Sequence, residues 1–307
     1  MKVMFMGTPQ IATNCLSVLF EKHDVCCVVT KEDKPKGRGG VICCSAVKET
    51  AQRRRCAEIV QPKTLKDGKF LSVLQKHNPD VIVVVAYGLI LPKYVLEYPK
   101  YGCINLHASL LPKYRGAAPI QWCIVKGEKV GGVTTMLMDE GLDTGDILLQ
   151  AEVDIPPDMT GGQLHDEYCR VGSALILETL EKLEKGEITP KKQNDSDHTY
   201  APMLNYENTK IDWSKSAADI VNLVRALNPY PCAHTTLGGK KLKVFECKAA
   251  NAEKGVKGEV LSAEGGLTVS CGDGAVVITE LQLEGKKRMD AQAFLRGFKA
   301  EKGEQLV

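Results

Sequence analysis

Along the first 155 residues, short apolar runs alternate with segments in which apolar residues recur at helical spacing. Helical spacing follows the first run, in "IATNCLSVLF", and recurs in "DGKFLSVLQKH" (67–77). The runs typical of buried strands are 2–6, 24–30, 57–62, 80–88, 102–107, 131–138 and 145–155. Strands separated by helical spacers predict an α/β fold, a Rossmann-like, mostly parallel sheet with helices on both faces.

One long helix follows the strands, and the pattern changes after residue 186. Residues 162–186 predict one long amphipathic helix that ends at Gly186, and the polar stretch 187–210 is typical of a linker. A short helix is predicted at 217–227, followed by short strands between Gly-rich turns and a closing helix at 290–298. Short strands spaced in this way predict a small β-barrel of the OB-fold kind.

These patterns predict two domains, which suits a chain of 307 residues. The predicted boundaries are 1–188 for the first domain, 189–206 for the linker and 207–307 for the barrel-like domain. No internal repeat interrupts this order.

Composition places the chain among globular proteins, with 44% hydrophobic and 25% charged residues. No apolar run approaches the roughly 18–20 residues that a membrane span requires. The start "MKVMFMGTPQ" lacks the apolar stretch of a signal peptide, so we expect a cytoplasmic protein without membrane partners. The net charge of +2 predicts no general affinity for nucleic acid, so any basic patch must be local.

Two classes of site are disfavoured by spacing. None of the 12 cysteines forms a Cys-x-x-Cys pair, so we expect reduced, mostly buried thiols and no metal site. Gly7 follows the first predicted strand, but the second and third glycines of a dinucleotide fingerprint are missing. A nicotinamide-dependent dehydrogenase is therefore not expected.

Polar residues stand out at the end of the strand 102–107. Asn105 and His107 are two positions apart, so a strand directs both side chains to one face. Asp143 lies in a second, Gly-flanked loop, "MDEGLDTGD" (138–146). An amide, an imidazole and a carboxylate suit acyl transfer to an amine, although a hydrogen-bonded strand end without catalytic function remains the alternative.

A family resemblance extends this interpretation. "NLHASLLPKYRGAAPIQW" and "GLDTGD" resemble the signature of the formyltetrahydrofolate-dependent formyltransferases. Supporting stretches are "FMGTP", "KPKGRG", "QPKTLK", "VVVAYGLILP", "IDWSKSA" and "NPYP", which together run from residue 5 to 231. Within the family, the resemblance is strongest to the bacterial branch that formylates a charged tRNA.

The resemblance implies a reaction and a set of site residues. The co-substrate would be 10-formyltetrahydrofolate, and the acceptor the α-amino group of methionyl-initiator-tRNA, formylated for bacterial translation initiation. An α-amino group has a pKa of about 7.7–8.0, so no side-chain nucleophile is needed. Asn105, His107 and Asp143 would be catalytic, and the folate site would include Ser109, Leu110, Leu111 and Pro112.

Contacts to tRNA are implied in two places. Arg38 is the candidate contact in the cationic loop "KEDKPKGRGG" (31–40), because a guanidinium can pair with phosphate or stack on an unpaired base. The segment that follows this loop departs from the family pattern, which leaves the loop conformation open. We expect the barrel-like domain to position tRNA through Lys240, Lys241, Lys243 and the cluster 286–288, and the protein to be a monomer.

Two other functions remain open from the sequence. One is formyl transfer from folate to a small amine, such as glycinamide ribonucleotide or an amino-sugar nucleotide. The other is an RNA-binding module without catalysis, in which Asn105, His107 and Asp143 are structural.

Overall fold

A computed structural model of the chain describes residues 1–36, 40–251, 255–298 and 300–307. By proximity of Cα atoms, the chain divides into two compact units. The first unit comprises residues 1–116, 130–154 and 165–200, and the second comprises 117–129, 155–164 and 201–307. Two segments that precede residue 165 therefore group with the C-terminal unit, and the domain boundaries at 188 and 206 stay a prediction.

The strands range from two to eleven residues in length. In chain order they are β1 (Lys2–Gly7), β2 (Asp24–Val29), β3 (Lys34–Lys36), β4 (Val41–Cys43), β5 (Ile59–Val60), β6 (Val81–Val85), β7 (Cys103–His107), β8 (Arg115–Gly116), β9 (Val130–Leu137), β10 (Ile147–Asp154), β11 (Tyr200–Ala201), β12 (Ala233–Leu237), β13 (Lys240–Ala250), β14 (Val260–Ser262), β15 (Leu267–Ser270), β16 (Ala275–Leu283) and β17 (Met289–Asp290).

The helices are mostly short, with one long exception, α6. In chain order they are α1 (Ile11–Lys22), α2 (Ala46–Arg53), α3 (Leu71–His77), α4 (Lys93–Leu96), α5 (Pro119–Val125), α6 (Gly161–Glu184), α7 (Ala217–Leu227) and α8 (Ala291–Gly297). Single 3₁₀ turns cover Asp195–Asp197 and Glu207–Thr209.

The first unit is built on a seven-stranded sheet in the order β10-β9-β7-β6-β1-β2-β5. Strands β7, β6, β1, β2 and β5 run parallel, whereas β9 is antiparallel to β7 and β10 is antiparallel to β9. The prediction of a mostly parallel, Rossmann-like sheet is confirmed. Every residue of β6 is buried, which explains why its sequence is continuously apolar rather than alternating.

The long helix α6 ends where the sequence predicted. Gly186 has a φ of +70°, and its N–H donates to the carbonyl of Leu183 at 3.1 Å. A left-handed residue at this position lets the chain turn back and satisfy the last carbonyls of the helix, and glycine adopts that conformation without a steric penalty.

The second unit contains an antiparallel sheet in the order β12-β13-β16-β15-β14, with β17 paired to β16. The sheet curls into a half-barrel around an apolar core that includes Trp213, Leu242 and Ile278. The Trp213 indole N–H donates to the Thr235 hydroxyl at 3.1 Å, so this buried donor is satisfied. The barrel-like, OB-fold prediction is confirmed.

Two segments differ from their predicted character. Within the cationic run 31–40, Lys34, Pro35 and Lys36 form a strand that pairs antiparallel with β4. The polar stretch 187–210 is not detached, because Lys191 exchanges two backbone hydrogen bonds with Ile147 at 2.8 and 2.9 Å. Backbone pairing of polar residues leaves no apolar periodicity, so neither feature shows in the hydrophobic pattern.

Two further observations concern the described ranges. No helix within them is both long and apolar enough to cross a lipid bilayer.

All 12 cysteines are free thiols; nine are buried, and Cys43, Cys44 and Cys56 are partly exposed. The distribution agrees with the expected reduced, mostly buried thiols.

The sheet core predicts the cost of a large-to-small substitution. Ile82 on β6 is fully buried, whereas Ile90 is 73% exposed. We expect Ile82→Ala to lower the free energy of unfolding by about 2–5 kcal/mol, because it removes buried methylenes and leaves a cavity. The matched Ile90→Ala should change it by less than about 0.5 kcal/mol. Chemical denaturation of both variants measures the difference, and equal effects would contradict this assignment of the core.

Candidate active site

The strand β7 directs Asn105 and His107 to one face of the sheet. Asn105 pairs with Met136 and His107 with Thr134 on the neighbouring strand β9, so the backbone of both residues is fixed by the ladder. The His107 side chain is only 7% exposed. A rigid strand end therefore determines where the amide and the imidazole stand.

The imidazole of His107 has a fixed hydrogen-bond partner. Its Nε2 lies 3.0 Å from the carbonyl oxygen of Tyr114. A carbonyl can only accept, so Nε2 carries the hydrogen and the other nitrogen is unprotonated in the neutral ring. That nitrogen, Nδ1, lies 3.7 Å from Oδ1 of Asp143. A proton taken up by His107 is therefore placed at Nδ1, facing the carboxylate.

The structure brings Asp143 to His107 across 36 positions of sequence. The Asp143 side chain is 12% exposed, and its Oδ2 accepts a hydrogen bond from the Gly116 N–H at 2.9 Å. Asp143 has a φ of +54°, in the left-handed region that Asp tolerates better than most residues. One carboxylate oxygen is therefore held by the backbone while the other faces the imidazole.

The Asn105 amide is directed to the same face of β7 as His107, since the two residues are two positions apart on the strand. Asn105 is half-buried, and its side chain has no hydrogen-bond partner among the residues that the structure describes. An amide held on a strand, with both N–H donors unused, can donate to an oxygen atom of a bound substrate.

Residues 109–112 form a turn directly after β7. The Ser109 hydroxyl donates to the Lys113 carbonyl at 2.6 Å, and the Leu111 N–H donates to the Thr134 hydroxyl at 3.1 Å. Ser109 and Leu111 are buried, whereas Leu110 and Pro112 are half-buried. The four predicted folate contacts thus lie beside His107, on a turn whose shape is fixed by β9.

Three residues at this site were missed by sequence reasoning. The guanidinium of Arg115, which is buried, donates to Oε1 of Gln193 at 3.0 and 2.8 Å. The Gln193 amide donates to the carbonyls of Asp143 and Gly145, and Thr199 Oγ1 accepts from the Tyr114 N–H at 2.8 Å. Gln193 and Thr199 lie in the predicted linker, and no spacing rule connects residues some 80 positions apart.

Cys103, at the start of β7, is not a nucleophile in this structure. Burial raises the pKa of its thiol to about 12, and Sγ donates to the Val95 carbonyl at 3.5 Å. A thiol with such a pKa is neutral at physiological pH and unreactive. The chemistry of this strand therefore belongs to Asn105 and His107.

The remaining predicted site residues are the candidate contacts to tRNA. Arg38 lies outside the described residues. Lys240 is exposed, the Lys241 ammonium lies 4.5 Å from the centre of the Tyr206 ring, and the Arg288 guanidinium pairs with Glu280 at 2.6 Å. Within the described ranges, no group of three or more His, Cys, Asp or Glu side chains is placed to hold a metal ion.

Most of the chain matches two family models. Residues 1–180 match the model described as formyl transferase, and residues 203–299 match the formyl transferase C-terminal domain. Among curated relatives, the methionyl-tRNA formyltransferase of Lachnospira eligens is 48% identical, covering 100% of this chain and 99% of its own. That of Clostridium novyi is 49% identical over 97% of both chains.

Solved structures share the fold at lower identity. HypX from Aquifex aeolicus, in complex with tetrahydrofolic acid, matches with a TM-score of 0.66 and 20% identity over 99% of this chain. This chain spans about half of HypX, 50% of its length. The N-formyltransferase from Helicobacter canadensis, with folinic acid and dTDP-3-aminofucose, matches with a TM-score of 0.68 and 22% identity. The alignment covers 91% of this chain and 98% of that one.

The contact between Nε2 of His107 and the Tyr114 carbonyl allows the tautomer of His107 to be predicted. We expect the neutral imidazole to carry its hydrogen on Nε2, because the carbonyl at 3.0 Å accepts from that atom. Nitrogen-15 NMR chemical shifts of the labelled protein at a pH where the ring is neutral distinguish the two tautomers. The half-exposed His165 serves as the internal comparison, since its Nδ1 faces Asp166. A hydrogen on Nδ1 of neutral His107 would contradict the geometry.

Proposed function

The chain belongs to the formyl transferase family, and we propose that it transfers the formyl group of 10-formyltetrahydrofolate to the α-amino group of methionyl-initiator-tRNA. The observation that carries this proposal is the 48% identity to a methionyl-tRNA formyltransferase over the whole chain. The product would be the N-formylmethionyl-tRNA that begins bacterial translation. The cluster of Asn105, His107 and Asp143 supplies groups that this reaction needs.

The chemistry assigns a role to each of the three side chains. The amine nitrogen attacks the formyl carbon, and negative charge develops on the formyl oxygen. The Asn105 amide can donate to that oxygen, and a positive imidazolium at His107 stabilises the charge electrostatically in a site sheltered from water. The formyl carbon then separates from its folate nitrogen, which takes up the proton that the amine has lost.

The Asp143 carboxylate is placed to act on protons together with His107. Its Oδ1 faces Nδ1 at 3.7 Å, so a positive imidazolium there meets a negative carboxylate. The same carboxylate can accept the amine proton through water. General acid–base groups of this kind need no metal, and the proposal includes none.

The substrate contacts are part of the same proposal. Ser109, Leu110, Leu111 and Pro112 contribute to the folate site, supported by the position of their turn beside His107. Arg38 contacts the acceptor end of the tRNA. The C-terminal unit positions the tRNA through its lysines, of which Lys240 is exposed. We further propose that the enzyme works as a monomer in the cytoplasm, where charged tRNA is made and used.

A comparison of four acceptors, each assayed separately, tests the proposed function. Purified protein is incubated with 10-formyltetrahydrofolate and one of four acceptors: methionyl-initiator-tRNA, methionyl-elongator-tRNA, glycinamide ribonucleotide or an amino-sugar nucleotide. We expect formylation of methionyl-initiator-tRNA with the highest kcat/KM. Transfer only to a small amine would contradict the tRNA acceptor, and no transfer to any acceptor would favour a non-catalytic RNA-binding protein.

Replacing His107 separates catalysis from binding. His107→Ala removes the imidazole whose Nδ1 faces Asp143, so we expect kcat to fall by about 10²–10⁴-fold while the Kd for the tRNA stays within about threefold. Initial-rate kinetics and filter binding measure the two quantities. Lys126→Ala, on the turn after α5, serves as a surface control. Full turnover in His107→Ala would mean that the cluster is structural.

A further inference from the structure

We propose that Gln193 and Thr199 are positioning residues that hold His107 and Asp143 in their reactive arrangement. Both lie in residues 191–199, which we call the polar strap. The inference rests on the proposed function, since it assigns these residues to the same reaction.

The polar strap contributes no buried residue to the core. Gln193 is half-buried and the other eight residues are exposed. The strap is nevertheless fixed at its start by the two backbone hydrogen bonds between Lys191 and Ile147. A segment that buries so little surface stabilises the fold weakly, so its several polar contacts call for another explanation.

Thr199 acts on His107 through Tyr114. The Tyr114 N–H donates to Thr199 Oγ1 at 2.8 Å, and the next N–H, that of Arg115, donates to the Thr199 carbonyl at 2.9 Å. Tyr114 has a φ of +60°, which is strained for a bulky residue. Thr199 therefore helps hold a strained peptide whose carbonyl binds Nε2 of His107.

Gln193 acts on Asp143. Its Nε2 donates to the Asp143 carbonyl at 2.9 Å and to the Gly145 carbonyl at 2.8 Å, which uses both of its hydrogens. Its Oε1 accepts two bonds from Arg115, so the orientation of the amide is fixed by its neighbours. Since Asp143 is also left-handed, this amide pins the backbone that aims the carboxylate at His107.

The two contacts support the partners of the two imidazole nitrogens. Thr199 secures the acceptor of Nε2, and Gln193 secures the carboxylate that faces Nδ1. A displacement of either partner by about 1 Å is expected to cost on the order of a hundredfold in rate, because the reacting groups lose alignment. Neither residue needs to touch the substrates.

Gln193→Glu is the sharpest test. The carboxylate still accepts from Arg115, but its second oxygen faces two carbonyl oxygens where the amide had donated. We expect kcat to fall by about a hundredfold, with the KM for both substrates within about threefold. The matched control is Asp195→Asn, since the Asp195 carboxylate is 83% exposed and bonds to the same guanidinium at 2.9 Å. The control should retain wild-type kcat.

A second pair tests Thr199 without a change of charge. Thr199→Val removes the acceptor of the Tyr114 N–H at nearly constant shape, and we expect kcat to fall by about tenfold. Thr199→Ser keeps the hydroxyl and should stay within about twofold of wild type. If Gln193→Glu does not fold, as judged by circular dichroism, the Thr199 pair decides the proposal by itself.

Spectroscopy separates this proposal from the proposed function. The nitrogen-15 resonances of His107 should shift in Gln193→Glu and Thr199→Val and stay in place in Asp195→Asn and Thr199→Ser. The positioning role would be overturned by any of three results. These are unshifted His107 resonances in Gln193→Glu and Thr199→Val, a wild-type kcat in Gln193→Glu, and a loss of kcat in Asp195→Asn equal to that in Gln193→Glu. A wild-type protein that does not formylate methionyl-tRNA would instead overturn the proposed function, while the resonances would still report on positioning.

Discussion

The hydrogen bond between Nε2 of His107 and the Tyr114 carbonyl governs the rest of the site. It fixes the tautomer of the neutral ring and leaves Nδ1 as the only position for an added proton. Because Nδ1 faces Asp143 at 3.7 Å, a second proton, added at Nδ1, lies next to a carboxylate. The role assigned to Asp143 depends on this one orientation of the imidazole.

Strands and loops contribute different groups to the site. The sheet supplies Asn105 and His107 from β7, which is paired on both sides by β6 and β9. Loops supply the Tyr114 carbonyl and the Asp143 carboxylate from left-handed residues, each at a cost of about 1–3 kcal/mol. Such residues persist only where several contacts define them. Here Gly116, with a φ of +114°, aligns its N–H with Asp143, while Thr199 and Gln193 hold the two strained peptides.

Fold and function are supported by different observations. The two structural relatives, at 20% and 22% identity, establish that the fold is shared, and one of them contains an amino-sugar nucleotide. A shared fold supports several acceptors, so it does not select among them. Identity of 48–49% to methionyl-tRNA formyltransferases along almost the whole chain is what favours tRNA.

Elements with a strong hydrophobic period could be predicted from the order of residues alone. The buried strand β6, the long helix α6 with its Gly186 terminus, and the short strands of the second unit follow from burial and glycine conformation. The sequence also placed Asn105 and His107 on one face, because strand alternation is a local rule. Contacts between residues far apart in sequence could be identified only in the tertiary structure. It brought Asp143 to His107 and turned part of a predicted linker, including Gln193, into a support for the site. Contacts between polar groups far apart in sequence leave no periodic trace, so only the folded chain reveals them.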